Sequence, residues 1–183
     1  MHIIRIKRLI TLVVLLIVAG LTPAAISAAP SEDQRAPELP SPLCDRVNAP
    51  VGNKVSSHVY ATGSQIYRWD GISWVFVEPS ASLFANAGYD GKVGIHYRGP
   101  TWESNSGSKV VASRLYGCTP DPTAIPWLLL ETVSTTGPGI FSSVTYVQRV
   151  NTTGGLVPAY PGLVIGQVVE VPYTAEYYFY REE

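Results

Sequence analysis

The sequence predicts an all-β fold: a single antiparallel β-sandwich or closed β-barrel of about eight or nine strands, with little helix. Three observations predict it. Short apolar stretches are cut by turn residues at the spacing typical of all-β domains. Several of those stretches alternate with the two-residue period of a strand. No helical periodicity runs beyond about ten residues. The composition suits such a fold, since 46% of the 183 residues are hydrophobic and 15% charged, which excludes a disordered polyelectrolyte.

The chain opens with an export pattern. Arg5, Lys7 and Arg8 precede an apolar run from Leu9 to Leu21, and small residues follow through Ala29. Basic, apolar and small segments in that order describe a secretory signal peptide, assigned to residues 1–28. The run is too short for a bilayer-spanning helix, which needs about 20 residues. Cleavage after Ser27 fits, with Ala28 and Ala29 as alternatives. Residues 29–43 are Pro-rich and read as a flexible spacer, so the all-β domain is expected over 44–183. Both cysteines, Cys44 and Cys118, fall in that exported part, where disulfides persist. Their pairing is expected, against the alternatives of two buried thiols or intermolecular bonds.

The strands follow in order. Residues 54–61 alternate, with Val55, Val59 and Ala61 on one face and Lys54, Ser56, His58 and Tyr60 on the other. Segments 64–69 and 73–78 flank Asp70-Gly71, a strong hairpin signal, and Trp69 and Trp74 should pair beside that turn. Pro79 to Ala87 is compatible with one or two helical turns. In 92–97, Val93, Ile95 and Tyr97 oppose Lys92, Gly94 and His96. Gly99-Pro100 then turns the chain into a loop carrying Trp102 and Glu103. Residues 108–115 follow the turn Asn105-Ser106-Gly107. The run 125–133 is nearly all apolar, as in a strand buried on both faces. Residues 143–150 alternate less cleanly. The last strand, 169–179, should turn Tyr177 and Phe179 inward and Tyr178 and Tyr180 outward.

Charge narrows the partners. Removal of the signal takes three of the thirteen bases and no acid, leaving ten against fourteen acids. The remaining bases are scattered singly, whereas nucleic-acid binders cluster them. No basic amphipathic helix is present either. Neither nucleic acid nor membrane insertion after signal cleavage is therefore expected, and the partner is an unidentified extracytoplasmic ligand, periplasmic or extracellular.

The motif search is mostly negative. There is no G-x-S-x-G elbow, phosphate loop, dinucleotide glycine fingerprint or H-E-x-x-H, and no cofactor is expected. The most suggestive stretch is HYRGPTWE (96–103), where a histidine, an indole and a carboxylate lie within eight residues. His58, Tyr60, His96, Trp102 and Glu103 are the candidate ligand-binding set, with His96 and Glu103 the candidate catalytic pair. If their strands were neighbours, His58, His96 and Glu103 would offer two nitrogens and an oxygen, as catalytic zinc sites do; the spacing does not dictate this, and no metal is assigned. The competing reading is that His96 and Glu103 bond the loop while Trp102 plugs the core. Glu131, inside the apolar run, is either a buried acid paired with Arg68, Arg114 or Arg149, or an exposed residue.

Five strings occur in order: QIYRWDGISWVF, HYRGPTWESNSGSKVV, IPWLLLETVSTTGPGIF, VTYVQRVNTTGG and VPYTAEYYFY. Together they resemble an exported family known as domain of unknown function 3455, over most of 51–180. The family has no established activity and lends no catalytic residue. Some fungal members carry a malate dehydrogenase label, which the absent glycine fingerprint does not support. Many relatives carry a cysteine soon after the GG of NTTGG. Here that region reads LVPAYPGLV, so the Cys44–Cys118 pairing rests on compartment alone. The function expected is a non-enzymatic binding module for a glycan or a small apolar ligand. The alternatives are a hydrolase-like or metal-assisted enzyme using His96 and Glu103, or an envelope or surface structural component.

Overall fold

Asp70 makes the first hairpin. Its carboxylate accepts the backbone N–H groups of Ile72 and Ser73, both at 2.8 Å, and Gly71 supplies a φ of 105°. Trp69 and Trp74 then face each other across the strands, edge to face, with ring centroids 5.5 Å apart. From this pair the described residues of the computed structural model run out into eight strands. They are β1 (Asn53–Trp69), β2 (Trp74–Phe84), β3 (Lys92–Tyr97), β4 (Thr101–Ser104), β5 (Lys109–Cys118), β6 (Trp127–Thr136), β7 (Tyr146–Gly154) and β8 (Val168–Glu182). Residues 35–183 are described; the expected signal segment and the start of the Pro-rich stretch lie outside them. Each strand pairs antiparallel with the next, and β8 returns to β1, so the sheet is a closed barrel. Closure leaves open edge only where β2 and β5 run on beyond the short β3 and β4, which limits the edge available to template pairing with another chain.

Three element boundaries differ from the sequence reading. Residues 54–61 and 64–69 form one strand, β1, because Gly63 does not break it. Its Cα lies against β2, where a Cβ would overlap the Ser80 carbonyl oxygen and Ala81. Pro79 to Phe84 is strand rather than helical turns. Ala81 and Leu83 are buried and Ser82 and Phe84 less so, a two-residue period. Pro79 is tolerated because β2 has a partner there only on its β1 side, where a missing N–H removes least from the ladder. The loop expected to carry Trp102 and Glu103 is strand β4, paired with both β3 and β5. Gly99, at φ 122°, makes the β3–β4 turn.

The core sits in the barrel lumen. Trp102, Tyr177, Phe179, Phe141, Leu83, Val110 and Val147 fill one half of it, each at most 1% exposed. A second apolar layer lies outside the wall. Cys44 and Cys118 are disulfide-bonded across 74 residues, so the segment before β1 is tied to the end of β5. With the 3-10 turn Asp45–Val47, it covers the outer faces of Leu129, Tyr178 and Tyr180. Leu39, from the Pro-rich stretch, packs there too. Gln148, fully buried, donates to the Val47 carbonyl (2.8 Å) and accepts from the Tyr180 hydroxyl (2.7 Å). This layer explains two further features. Tyr178 and Tyr180 point outward as expected yet are buried, and β6 is covered on both faces only as far as Leu130. From Glu131 the outer face is bare, so Glu131 is exposed, with no described arginine at ion-pair distance.

Candidate functional site

The short β3–β4 hairpin leaves a notch in the barrel. β2 pairs with β3 only from Ala81 onward, and β5 pairs with β4 only up to Val111. Beyond those points, β2 residues 74–80 and β5 residues 112–118 face each other across a gap above the Gly99-Pro100 turn. Through that notch the unfilled half of the lumen reaches the surface, as a cavity of about 380 Å³. Its rim carries Phe76, Glu78, Arg98 and Arg114; its interior wall carries Gln65, Tyr67, His96, Trp102, Leu128, Leu130, Arg149 and Tyr177.

His96 and Trp102 meet here because they are register partners on β3 and β4. Their rings stack with centroids 4.3 Å apart and planes 10° from parallel. The His96 Nδ1–H donates to the Thr101 carbonyl at 2.9 Å, which leaves Nε2 as the lone-pair nitrogen of a neutral ring. Burial holds that ring's pKa down to about 3, with the nearby Arg149 cation adding to the effect and the Thr101 bond opposing it.

The other three candidates lie elsewhere. Glu103 pairs in register with Ile95, so it leaves the β3–β4 ladder on the face opposite His96. There it accepts from the Tyr97 hydroxyl at 2.8 Å and meets Lys109 Nζ at 3.2 Å. Those hydrogen bonds and the Lys109 charge keep its pKa below the usual carboxylate range. His58 and Tyr60 sit on the outer face of β1, separated from β3 by β2. His58 stacks on Tyr178 with centroids 3.9 Å apart, and its Nε2 lies 2.8 Å from Glu176 Oε2. Burial opposes the Glu176 charge, but bonds from His58, Asn151 and Tyr178 outweigh it, and its pKa is lowered. The condition on which His58, His96 and Glu103 would have converged, neighbouring strands, is therefore not met. Parity gave each residue a face but not which face was inside, and β2 intervenes. Among the described residues no group of three His, Cys, Asp or Glu side chains is placed to hold a metal ion, and His96 and Glu103 cannot act on one bond.

What the sequence reading missed in the lumen is Arg149. It shares the inner parity of Val147 on β7 and lines the cavity. Its Nε and Nη2 donate to the Pro126 carbonyl at 3.1 and 2.8 Å, pinning the β5–β6 loop. No carboxylate lies at ion-pair distance from it among the described residues. It is close enough to Tyr67, Tyr173 and Tyr177 to lower their pKa values, but burial dominates and raises all three. The tyrosines and His96 are thus neutral around one cation. Two further N–H donors in the wall, Gln65 Nε2 and Trp102 Nε1, are buried and have no hydrogen-bond partner.

No helix among the described residues is long and apolar enough to cross a membrane. A family model described as a protein of unknown function (DUF3455) matches residues 50–181, which takes in nearly all of the eight strands and Cys118 but not Cys44. No curated protein matches, and no solved structure matches.

Proposed function

The chain belongs to this family of unknown function, and from the geometry of the barrel we propose that it is a binding module for a small, largely apolar molecule held in the lumen. One observation carries the reading: the notch opens into a cavity of about 380 Å³, within the range of small-molecule sites. Its walls are mainly aromatic and aliphatic, with a few polar groups that would orient a ligand, and ligand sites of this kind occur in the mouths of β-barrels. The cavity lies inside a rigid, closed sheet, so it is formed before a ligand arrives and little ordering entropy opposes binding.

The glycan form of the expectation draws less support. Stacking on sugar rings needs exposed aromatic faces, but Trp102 and Trp74 are buried, at 1% and 8% exposure. Trp69 is half-buried, edge to face against Trp74. Export belongs to the same proposal. The basic, apolar and small order of the first 28 residues supports it, and the Cys44–Cys118 disulfide is the kind that persists outside a reducing compartment.

The test is titration of the exported domain with N-phenyl-1-naphthylamine, an uncharged dye that fluoresces in apolar surroundings. Saturable binding is expected, and Leu128→Trp, which places an indole in the cavity wall, should abolish it while the barrel stays folded. Binding that survives Leu128→Trp would place the dye elsewhere and overturn the reading.

A further inference from the structure

We infer that the lumen ligand is an acid: a small molecule with an apolar body and a carboxylate, which Arg149 receives. The inference rests on the binding reading above and names its ligand class. Arg149 is half-buried in the cavity wall, and no described carboxylate neutralises it. A cation withdrawn from water is ordinarily paired. The Pro126 carbonyl takes two of the five N–H donors of the guanidinium but brings no negative charge. The neighbouring ionisable groups do not supply one either, since burial keeps His96, Tyr67, Tyr173 and Tyr177 uncharged.

The rest of the site has the same polarity. The unpartnered polar atoms of two of its lining residues, Gln65 Nε2 and Trp102 Nε1, are both buried donors, so among the described residues no acceptor or negative charge is left over around Arg149. At the rim, Arg98 and Arg114 outnumber Glu78, and Glu78 is already engaged by Arg98 at 3.3 Å. An anion approaching the notch therefore meets a positive entrance and a planar fork of donors behind it, the geometry that suits a carboxylate. The aromatic and aliphatic wall made by Tyr67, Leu128, Leu130 and Tyr177 would take the apolar body.

Two probes of the same shape separate this inference from the reading beneath it. 2-Naphthoate and 2-naphthamide share the naphthyl body, and only the first is charged at neutral pH. Isothermal titration of the domain at pH 7.5 and low salt should give at least about tenfold tighter binding of the acid, the ratio expected from one charge-assisted contact. Arg149→Met should bring the acid down to the level of the amide and leave the amide within a few-fold of its wild-type affinity. Arg149→Lys, which keeps the charge and loses the fork, should retain a reduced preference. A purely structural Arg149 would weaken both probes together. If Arg149→Met does not fold, the wild-type comparison and the lysine variant still decide. Equal wild-type affinity for the two probes overturns the acid inference and leaves the binding reading standing. Failure to bind either probe overturns both.

Discussion

Acidification should weaken the barrel through His96 in particular. The imidazole is buried against Trp102 with a pKa near 3, whereas an unfolded chain returns it to about 6.5. Above pH 6.5 both states are neutral and the ring adds no pH dependence. Below that the unfolded state binds a proton that the folded state refuses, so stability falls by about 1.4 kcal/mol per pH unit until the folded ring itself protonates near pH 3. At pH 4.5 the loss is about 2.7 kcal/mol, a large part of the 5–15 kcal/mol that holds a typical domain together. Urea unfolding of the wild type and of His96→Asn, at half-unit steps from pH 7.5 to 4.5, isolates this contribution. The asparagine amide can still donate to the Thr101 carbonyl but does not titrate. It should show a constant loss of about 2 kcal/mol from the missing ring, together with a flatter slope between pH 6.5 and 4.5. The carboxylates that titrate at lower pH are common to both proteins and cancel in the difference. Parallel slopes for the two proteins would refute the argument, because they would mean that His96 protonates in the folded state as easily as in water.

Three further outcomes are expected. Replacing Cys44 and Cys118 by serine should lower the urea midpoint, with a ceiling of about 4.5 kcal/mol set by the entropy of the long loop the disulfide closes; a midpoint unchanged from the oxidised wild type would show that the outer segment is held without its staple. Gly63→Ala forces a Cβ into the Ser80 carbonyl oxygen and should destabilise by about 3 kcal/mol, as overpacking does; a drop in thermal midpoint of under a degree would contradict the tight β1–β2 contact. Glu103→Gln should leave the affinity for 2-naphthoate unchanged, because Glu103 faces outward onto Tyr97 and Lys109; a tenfold loss in the same titration would restore it to the site.

How much of this was legible in the sequence depends on which face of each strand was covered. The Asp70-Gly71 hairpin and its Trp69–Trp74 pair were plain, since turn chemistry and cross-strand partners are local. Strand β8 could be read by parity, and Tyr177 and Phe179 do face inward. Parity failed where burial came from outside. The segment before β1 covers Gln148 and Val150 on the outer face of β7, while Val147 and Arg149 face the lumen. With both faces buried the alternation disappears, and Arg149 carried no mark of being an interior residue. His96 was picked out for its chemistry, but Gly94 and His96 looked like the polar face of β3. Both face inward, His96 stacked on Trp102 at the cavity wall and Gly94 so close to β4 that a Cβ would meet the Glu103 carbonyl oxygen. The length of the β3–β4 hairpin, which opens the notch, follows from ladder registers that residue patterns do not encode.

The central claim is that the lumen holds a small apolar molecule, and a crystal structure of the domain soaked with 2-naphthamide tests it most directly. An uncharged probe isolates the cavity from the question of the acid. A naphthyl ring is expected in the lumen, entered through the notch above Gly99 and Pro100 and packed between His96 and Leu130. A lumen without the probe at saturating concentration, or a ring bound only on the outer surface of the barrel, would contradict it.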